Sequence, residues 1–403
     1  MSPQAVSLHF QNRIRIAGEV LQGHIELNVP LALQDGIEHV RVKLRGSIYV
    51  EITERTQTNN HQRTTTTHRR RIEVLRADTS LWTRTGTGPP TGVLKLPFQF
   101  HLPVDIPPSF HCSAVSQKGI ISYAIEVVAD RPGIFKTNRR IASVFSLVPP
   151  AAPQDLLFQQ LLLQGWSGDC KAVVHEDKIR RGILGDYSIV KTKLVMPALA
   201  TFPMSTVFPF RVHVTTETKA MKYTDSPEER GKPLFPVPPV NFSQLKLTLV
   251  RRVHFRASNR SAQATETVLL IGETGESPGS STLLLQPEAP EWIPSDDKGK
   301  GIWRRTVHMQ SSMCLSVPPT FNTEILSWDY ALRLCVPFPG LGNDVQSDSA
   351  IWIVPGFACP PTRPFSLGSE STYPDIPPPG PAPNLGLPPS YWAGEHHEWD
   401  DNK

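Results

Sequence analysis

The sequence predicts an all-β fold: two tandem immunoglobulin-like β-sandwiches followed by a disordered, proline-rich C-terminal tail. Three observations carry this. Apolar residues recur at every second position in segments of both halves, the period of a half-buried strand. A diproline step followed by a Tyr-Ala strand occurs twice, within 106–127 and within 317–334. Beyond Gly356, eleven prolines fall in the last 47 residues, with few branched aliphatics among them, a composition that cannot bury enough apolar surface to fold.

The strands follow from the alternation. In "HVRVKLRG", Val40, Val42 and Leu44 alternate with Arg41, Lys43 and Arg45. In "LKLPFQFHLP", Leu94, Leu96, Phe98, Phe100 and Leu102 form the apolar set. "ISYAIEVVAD" places Ile121, Tyr123, Ile125 and Val127 on one face, and "LKLTLV" does the same with Leu245, Leu247 and Leu249. Only "PQDLLFQQLLLQG", residues 153–165, has a helical aspect, with Asp155 as an N-cap and Gly165 as a stop; its leucine run also fits a buried strand.

The order of elements points to a duplication. Ile106-Pro107-Pro108-Ser109-Phe110 leads to "SYAIEV", and Val317-Pro318-Pro319-Thr320-Phe321 leads to "DYALRL". Upstream, "GHIELNV" and "HVRVKLRGSIYVEI" are echoed by "FPFRVHV" and "LKLTLVRRVHFRA". Two prolines fix φ and remove two backbone donors, which ends one strand and carries the chain to the other sheet; a buried Phe then pins the crossing. "SLVPPAAPQD" (146–155) is the expected boundary. The domains are thus residues 1–150, 151–357 and a tail, 358–403.

Composition narrows the function classes. A net charge of +4 over 403 residues gives no general pull toward nucleic acid or anionic lipid. Five scattered cysteines, an odd number without CxxC pairs, argue against a disulfide framework and a zinc site, and for a reducing compartment. Residues 1–10 lack an apolar core of signal-peptide length, and no run approaches the ~20 apolar residues of a membrane span. A cytoplasmic protein is expected. There is no HExxH, no phosphate-cradling glycine loop and no paired catalytic carboxylates, so neither an enzyme nor a cofactor is expected. "GEHHEWDD" near the end carries His396 and His397 beside Glu398, but adjacent histidines without supporting groups do not orient a metal, and none is expected.

The chain resembles the arrestin family, and within it the α-arrestins. The residues that carry the resemblance are "GEVLQGHIELNV" (18–29), "VRVKLRG" (40–46), "LPFQFHLPVDIPPSF" (96–110), "ISYAIEVVAD" (121–130), "PPTFNTEILSWDYALRLCV" (318–336) and "IWIVPG" (351–356), spanning about residues 5–357. Loops around 222–240 and 259–300 are longer than that family's pattern. The resemblance implies an adaptor that catalyses nothing. It would work in the cytoplasm and be recruited to the plasma membrane and endosomes.

The tail contains Leu387-Pro388-Pro389-Ser390-Tyr391. A polyproline helix turns every three residues, so Pro388 and Tyr391 share a face while Pro389 continues the ridge. WW domains bind such ridges in aromatic grooves. Pro388, Pro389, Ser390 and Tyr391 are therefore the expected WW-binding site, with the aromatic ring exposed until a partner buries it. By the resemblance, the partners would be a HECT-type ubiquitin ligase bearing WW domains and the cytosolic tails of membrane transporters or receptors, with peripheral membrane association. There is a single PPxY here, where many relatives have two. The alternative from another class is an arrestin-fold sorting scaffold, similar to retromer-type cargo sorters, with the tail an inert linker.

Three further signals have two readings each. Residues 54–74 hold Arg55, Arg63, Arg69, Arg70 and Arg71 among threonines, either as a solvated hairpin tip or as a loop for lipid headgroups or phosphorylated cargo. Arg13 and Arg15 lie on one face of the first strand in "NRIRI", near where arrestins read phosphates, but the spacing does not match that family's sensing residues. Ser226-Pro227 and Ser277-Pro278 suit a proline-directed kinase or arise by chance; Lys219, Lys222 and Lys232 are acceptable ubiquitin acceptors that nothing local selects.

Overall fold

The computed structural model describes residues 4–392 apart from 12, 58–62, 85–91, 134–135, 183–184, 226–233, 240, 242–243, 272–283, 296–298, 360–384, 386 and 388. The first half comprises β1 (Val6–Phe10), β2 (Arg15–Ile16), β3 (Val20–Asn28), helix α1 (Val29–Asp35), β4 (His39–Gln57) and β5 (Arg63–Thr83). It continues with β6 (Val93–His101), β7 (Phe110–Ser113), β8 (Gln117–Asp130), β9 (Arg139–Phe145) and β10 (Leu147–Val148). Helix α2 (Pro153–Leu163) follows.

The second half holds β11 (Cys170–Arg180), β12 (Tyr187–Pro197), β13 (Phe202–Pro203), β14 (Val207–Glu217), β15 (Met221–Lys222), β16 (Lys246–Ala257) and β17 (Arg260–Ile271). Then come β18 (Leu284–Pro287), β19 (Glu291–Pro294), β20 (Lys300–Cys314), β21 (Phe321–Asn322), β22 (Leu326–Val336), β23 (Val345–Ile351) and β24 (Ile353–Val354). A last short helix, α3, spans Pro389–Trp392.

The predicted all-β, sandwich-based architecture is what forms. One sheet of the first half runs β1-β3-β6; the facing sheet runs β5-β4-β8-β7, with β9 also on β8. The second half pairs β11-β12-β14-β20, extended by β15, β18 and β19, with β17-β16-β22-β21, where β23 also joins β22. The alternation explains the burial: Val40, Val42, Leu44, Leu245, Leu247, Leu249, Phe208, Phe210, Val212 and Val214 all point into the core.

The duplication extends to individual hydrogen bonds. The Tyr123 hydroxyl donates to the Pro107 carbonyl (2.6 Å), and the Tyr330 hydroxyl donates to the Pro318 carbonyl (2.8 Å). Thus each Tyr-Ala strand is tied back to its own diproline corner. The closing strand is stapled the same way in both copies. Ser109 N–H donates to the Leu147 carbonyl and its hydroxyl accepts from Leu147 N–H (2.9 Å); Thr320 N–H donates to the Ile353 carbonyl and its hydroxyl accepts from Ile353 N–H (3.0 Å). Parallel two-residue ladders, β2–β10 and β13–β24, complete each corner.

Phe110, fully buried, pins the first crossing as expected, and its ring also stacks on Trp328 of the second half (centroids 4.0 Å apart, planes 11° apart). The Arg251 guanidinium covers the same ring at 4.5 Å, donates to the His111 carbonyl (3.3 Å) and pairs with Glu266 (2.7 Å). Gly119 lies against this junction: an added Cβ would come within 2.8 Å of Leu326 and 2.9 Å of Phe255.

Several expectations need correction. Strand β8 is buried on both faces rather than one: the core covers one, and on the other Glu126 is held by Arg140 (2.9 Å) and Ile120 and Ala124 are covered by the tail. Helix α1 was not expected; Asn28 caps it through Leu31 N–H (3.3 Å), proline stands in its first turn and Gly36 ends it at φ 75°. Residues 153–163 are helical, but Ala152 is the N-cap and offers no side-chain bond; Asp155 sits in the first turn and accepts from Thr201 (3.0 Å). The segment 54–74 is no loop: Arg55↔Thr65 to Ser47↔Glu73 continue the β4–β5 ladder, and only 58–62 fall outside the described residues. Within 259–300, β17, β18 and β19 are sheet strands.

Candidate functional site: a tyrosine pocket on the first sandwich

The pocket is made by strand register. On the outer face of the β4-β8-β9 sheet, Tyr49 pairs with Ile120 and Ala124 pairs with Val144. Ile120 and Ala124 are four residues apart on one strand, so both project outward. Together these side chains form a small apolar wall, separate from the main core, against which Leu387 and Tyr391 pack. Leu385, further back in the tail, is buried against the main core itself.

At the end of this wall lies a polar corner. Tyr391 is only 1% exposed; its hydroxyl donates to the Phe145 carbonyl (2.9 Å) and lies 2.7 Å from the Ser109 hydroxyl. Proton bookkeeping orders the chain of bonds. Ser109 already accepts from Leu147 N–H and Tyr391 has spent its single proton on Phe145, so the Ser109 hydroxyl donates to the phenol oxygen. Burial pushes the Tyr391 phenol well above its ordinary titration range, which keeps it protonated and able to donate. Trp392 stands edge-on to Tyr391 at 5.2 Å and is 43% exposed.

This arrangement corrects the expectation of an exposed, extended tyrosine. Residues 389–392 form a single helical turn, α3, packed on β9, and Tyr391 is buried by its own sandwich. Of the predicted WW-binding residues, Tyr391 alone has a described side chain. Pro388 lies outside the described residues, as do the side chains of Pro389 and Ser390, and so do residues 360–384 and 393–403, where the disordered tail and the His396–His397 pair were placed.

Residues 5–152 match the arrestin (or S-antigen), N-terminal domain. The first sandwich is similar to an arrestin N-terminal domain. The match covers the first sandwich, its diproline corner and the strand β9 that floors the tyrosine pocket. No curated protein matches the sequence.

On the first sandwich the anion-binding readings weaken. Arg15 is not on the first strand; it is buried in β2, paired with Glu19 (3.1 Å), which also holds Arg13 (3.1 Å). Of the β4–β5 arginines, Arg69 is held by Glu51 (2.8 Å), Arg70 pairs with Glu324 of the second sandwich, and Arg71 lies over the Tyr49 ring (5.5 Å). Arg55 is exposed, and the Arg63 side chain lies outside the described residues.

Other chemistry-bearing groups are sparse. All five cysteines are unpaired, and burial pushes the Cys112 thiol up to about 12, which makes it a poor nucleophile. His9, His24 and Glu26 gather within 4.8 Å on the exposed face of β1 and β3, the imidazoles stacked at 4.9 Å, with the Lys95 ammonium 3.7 Å from the Glu26 carboxylate. Lys219 is paired with Asp186 (2.8 Å). Ser226-Pro227 and Ser277-Pro278 lie outside the described residues. Sequence reasoning did not find Ser109 as a functional residue; its one signal was the hydroxyl position in both diproline steps.

Proposed function

We propose that this arrestin-fold chain is a non-enzymatic trafficking adaptor. It binds a WW domain of a HECT-type ubiquitin ligase through Pro388, Pro389, Ser390 and Tyr391. Its sandwiches meanwhile engage the cytosolic tails of transporters or receptors at the plasma membrane and endosomes, which the ligase then ubiquitinates for internalisation. The observation that carries this reading is the sequence Leu-Pro-Pro-Ser-Tyr on a proline-rich segment C-terminal to two sandwiches, the first of which matches the arrestin N-terminal domain. A PPxY segment is a low-entropy ligand for an aromatic groove, and a lone weak motif gains effective affinity from cargo clustered on a membrane.

The test is a calorimetric titration of residues 380–403 with such a WW domain. Binding that disappears in Tyr391→Ala supports the reading; equal affinity of both peptides removes it.

A second reading has an observation in its favour. Because Tyr391 is buried and hydrogen-bonded within its own chain, the tail is also consistent with a clamp on a sorting scaffold that recruits no ligase. Capture of a HECT-type ligase from cells that depends on Tyr391 separates the two.

A further inference from the structure

We propose that the pocket of Ile120, Ala124, Val144, Ser109 and the Phe145 carbonyl is a specific peptide-binding site of the first sandwich. Its resident ligand is the chain's own Tyr391, seated with Leu385 and Leu387, so occupancy of this site and WW-domain binding exclude each other. The inference rests on the adaptor reading and adds a gate to it.

The pocket is built for a phenol. Its wall is apolar, and its far end offers one hydroxyl donor and one carbonyl acceptor, 2.7 Å and 2.9 Å from the Tyr391 oxygen. With the tail docked Ser109 is completely buried, so a ligand seated here without a hydroxyl would leave its proton without an acceptor, a cost that selects a ligand with a hydroxyl over one without. The duplicated corner supplies an internal control. Thr320, the counterpart of Ser109, makes the same staple to Ile353, yet among the described residues no tyrosine hydroxyl bonds to it. Leu385 and Leu387 seat the segment before the tyrosine, giving a ligand of two leucines and a tyrosine six residues after the first.

The exclusion is geometric. A WW domain holds its ligand as polyproline II, with about 3.1 Å of rise per residue and the tyrosine in its own groove. Residues 389–392 here are helical, with a rise of about 1.5 Å, and the same ring fills the sandwich pocket. One tyrosine cannot occupy both.

Where the competent state is a minor fraction, apparent affinity falls by that fraction. Titrations of one WW domain against the 380–403 peptide, the full-length chain and full-length Val144→Glu therefore test the gate. Val144 is covered by the tail and lies outside the main core, so a carboxylate there is solvated when the tail is released but buried when it is docked. The expected result is full-length binding about tenfold or more weaker than the peptide, largely restored by Val144→Glu. Equal affinity of peptide and full-length chain overturns the gate while leaving the adaptor reading intact. A peptide that does not bind overturns the adaptor reading and the gate with it. Ile120→Gln, which alters the same wall from another strand, must reproduce the restoration if Val144→Glu unfolds the domain; failure of a folded Ile120→Gln chain to do so also counts against the gate.

Discussion

The hydroxyl of Ser109 lies 2.7 Å from that of Tyr391, 282 residues further along the chain. One serine thus staples the closing strand of a sandwich through Leu147 N–H and also receives the tail. A device already present in both halves for folding has, in the first half, acquired a second bond that ties the C-terminal segment to the domain.

Tyr391→Phe keeps the ring and deletes the two bonds. The Ser109 proton loses its acceptor and the Phe145 carbonyl its donor at a buried site, so docking should weaken by about 1–3 kcal/mol. The chemical-denaturation midpoint of the first sandwich should fall, with little change in slope; an unchanged midpoint means the two contacts contribute nothing.

Tyr123→Phe and Tyr330→Phe should behave as a matched pair. Each frees a proline carbonyl at an equivalent corner, costing about 0.5–1.5 kcal/mol. Because they sit in different sandwiches, the double variant should be additive within about 0.3–0.5 kcal/mol. Strong non-additivity in denaturant titrations would show that the corners are coupled through the Phe110–Trp328 stack.

Phe110→Ala should act on both halves. The ring fills the first core, stacks on Trp328 and lies beneath Arg251, so its loss should cost about 3–5 kcal/mol and leave Arg251 buried over a void. Calorimetry is expected to show the unfolding transition broadening or dividing as the two sandwiches lose their shared contact. A loss below about 1 kcal/mol would mean that the core refills the site.

A pH effect should arise at His213. Burial, followed by His308, Lys193 and Arg211, lowers its affinity for a proton below the ordinary 6.5, against a smaller opposing pull from Glu288. The unfolded chain then binds more protons than the folded one just below that value, so stability falls as pH drops through 6.5 toward the depressed folded value. Above 6.5 the contribution is fully present. His213→Gln should flatten this part of the stability profile in denaturant titrations at successive pH values; an equally steep profile in the variant would assign the effect elsewhere.

The sheets were legible because period-two patterning is written locally: Val40-Val42-Leu44 and Phe208-Phe210-Val212-Val214 announce the faces they bury. The diproline corners were legible too, and their tyrosine bonds explain why Tyr-Ala follows Pro-Pro in both halves. Helix α1 escaped because a seven-residue helix carries little periodicity, although Asn28, Pro30 and Gly36 mark its ends. The extended β4–β5 ladder is not legible as strand because runs of threonine (64–67) and arginine (69–71) carry no apolar alternation; its outer end meets solvent and ion pairs. The docked tail is illegible for a different reason. Composition identified Tyr391 as a ring seeking burial, but nothing local in the sequence could say that its partner was Ser109, far back in the same chain.

Hydrogen exchange over residues 140–148, compared between the wild-type full-length chain and Tyr391→Ala, tests the docked tail most directly. Protection across this stretch that is lower in the variant than in the wild type, while the Leu147–Ser109 staple and the β8–β9 ladder remain, is the predicted result. Equal protection in both would contradict the tyrosine pocket.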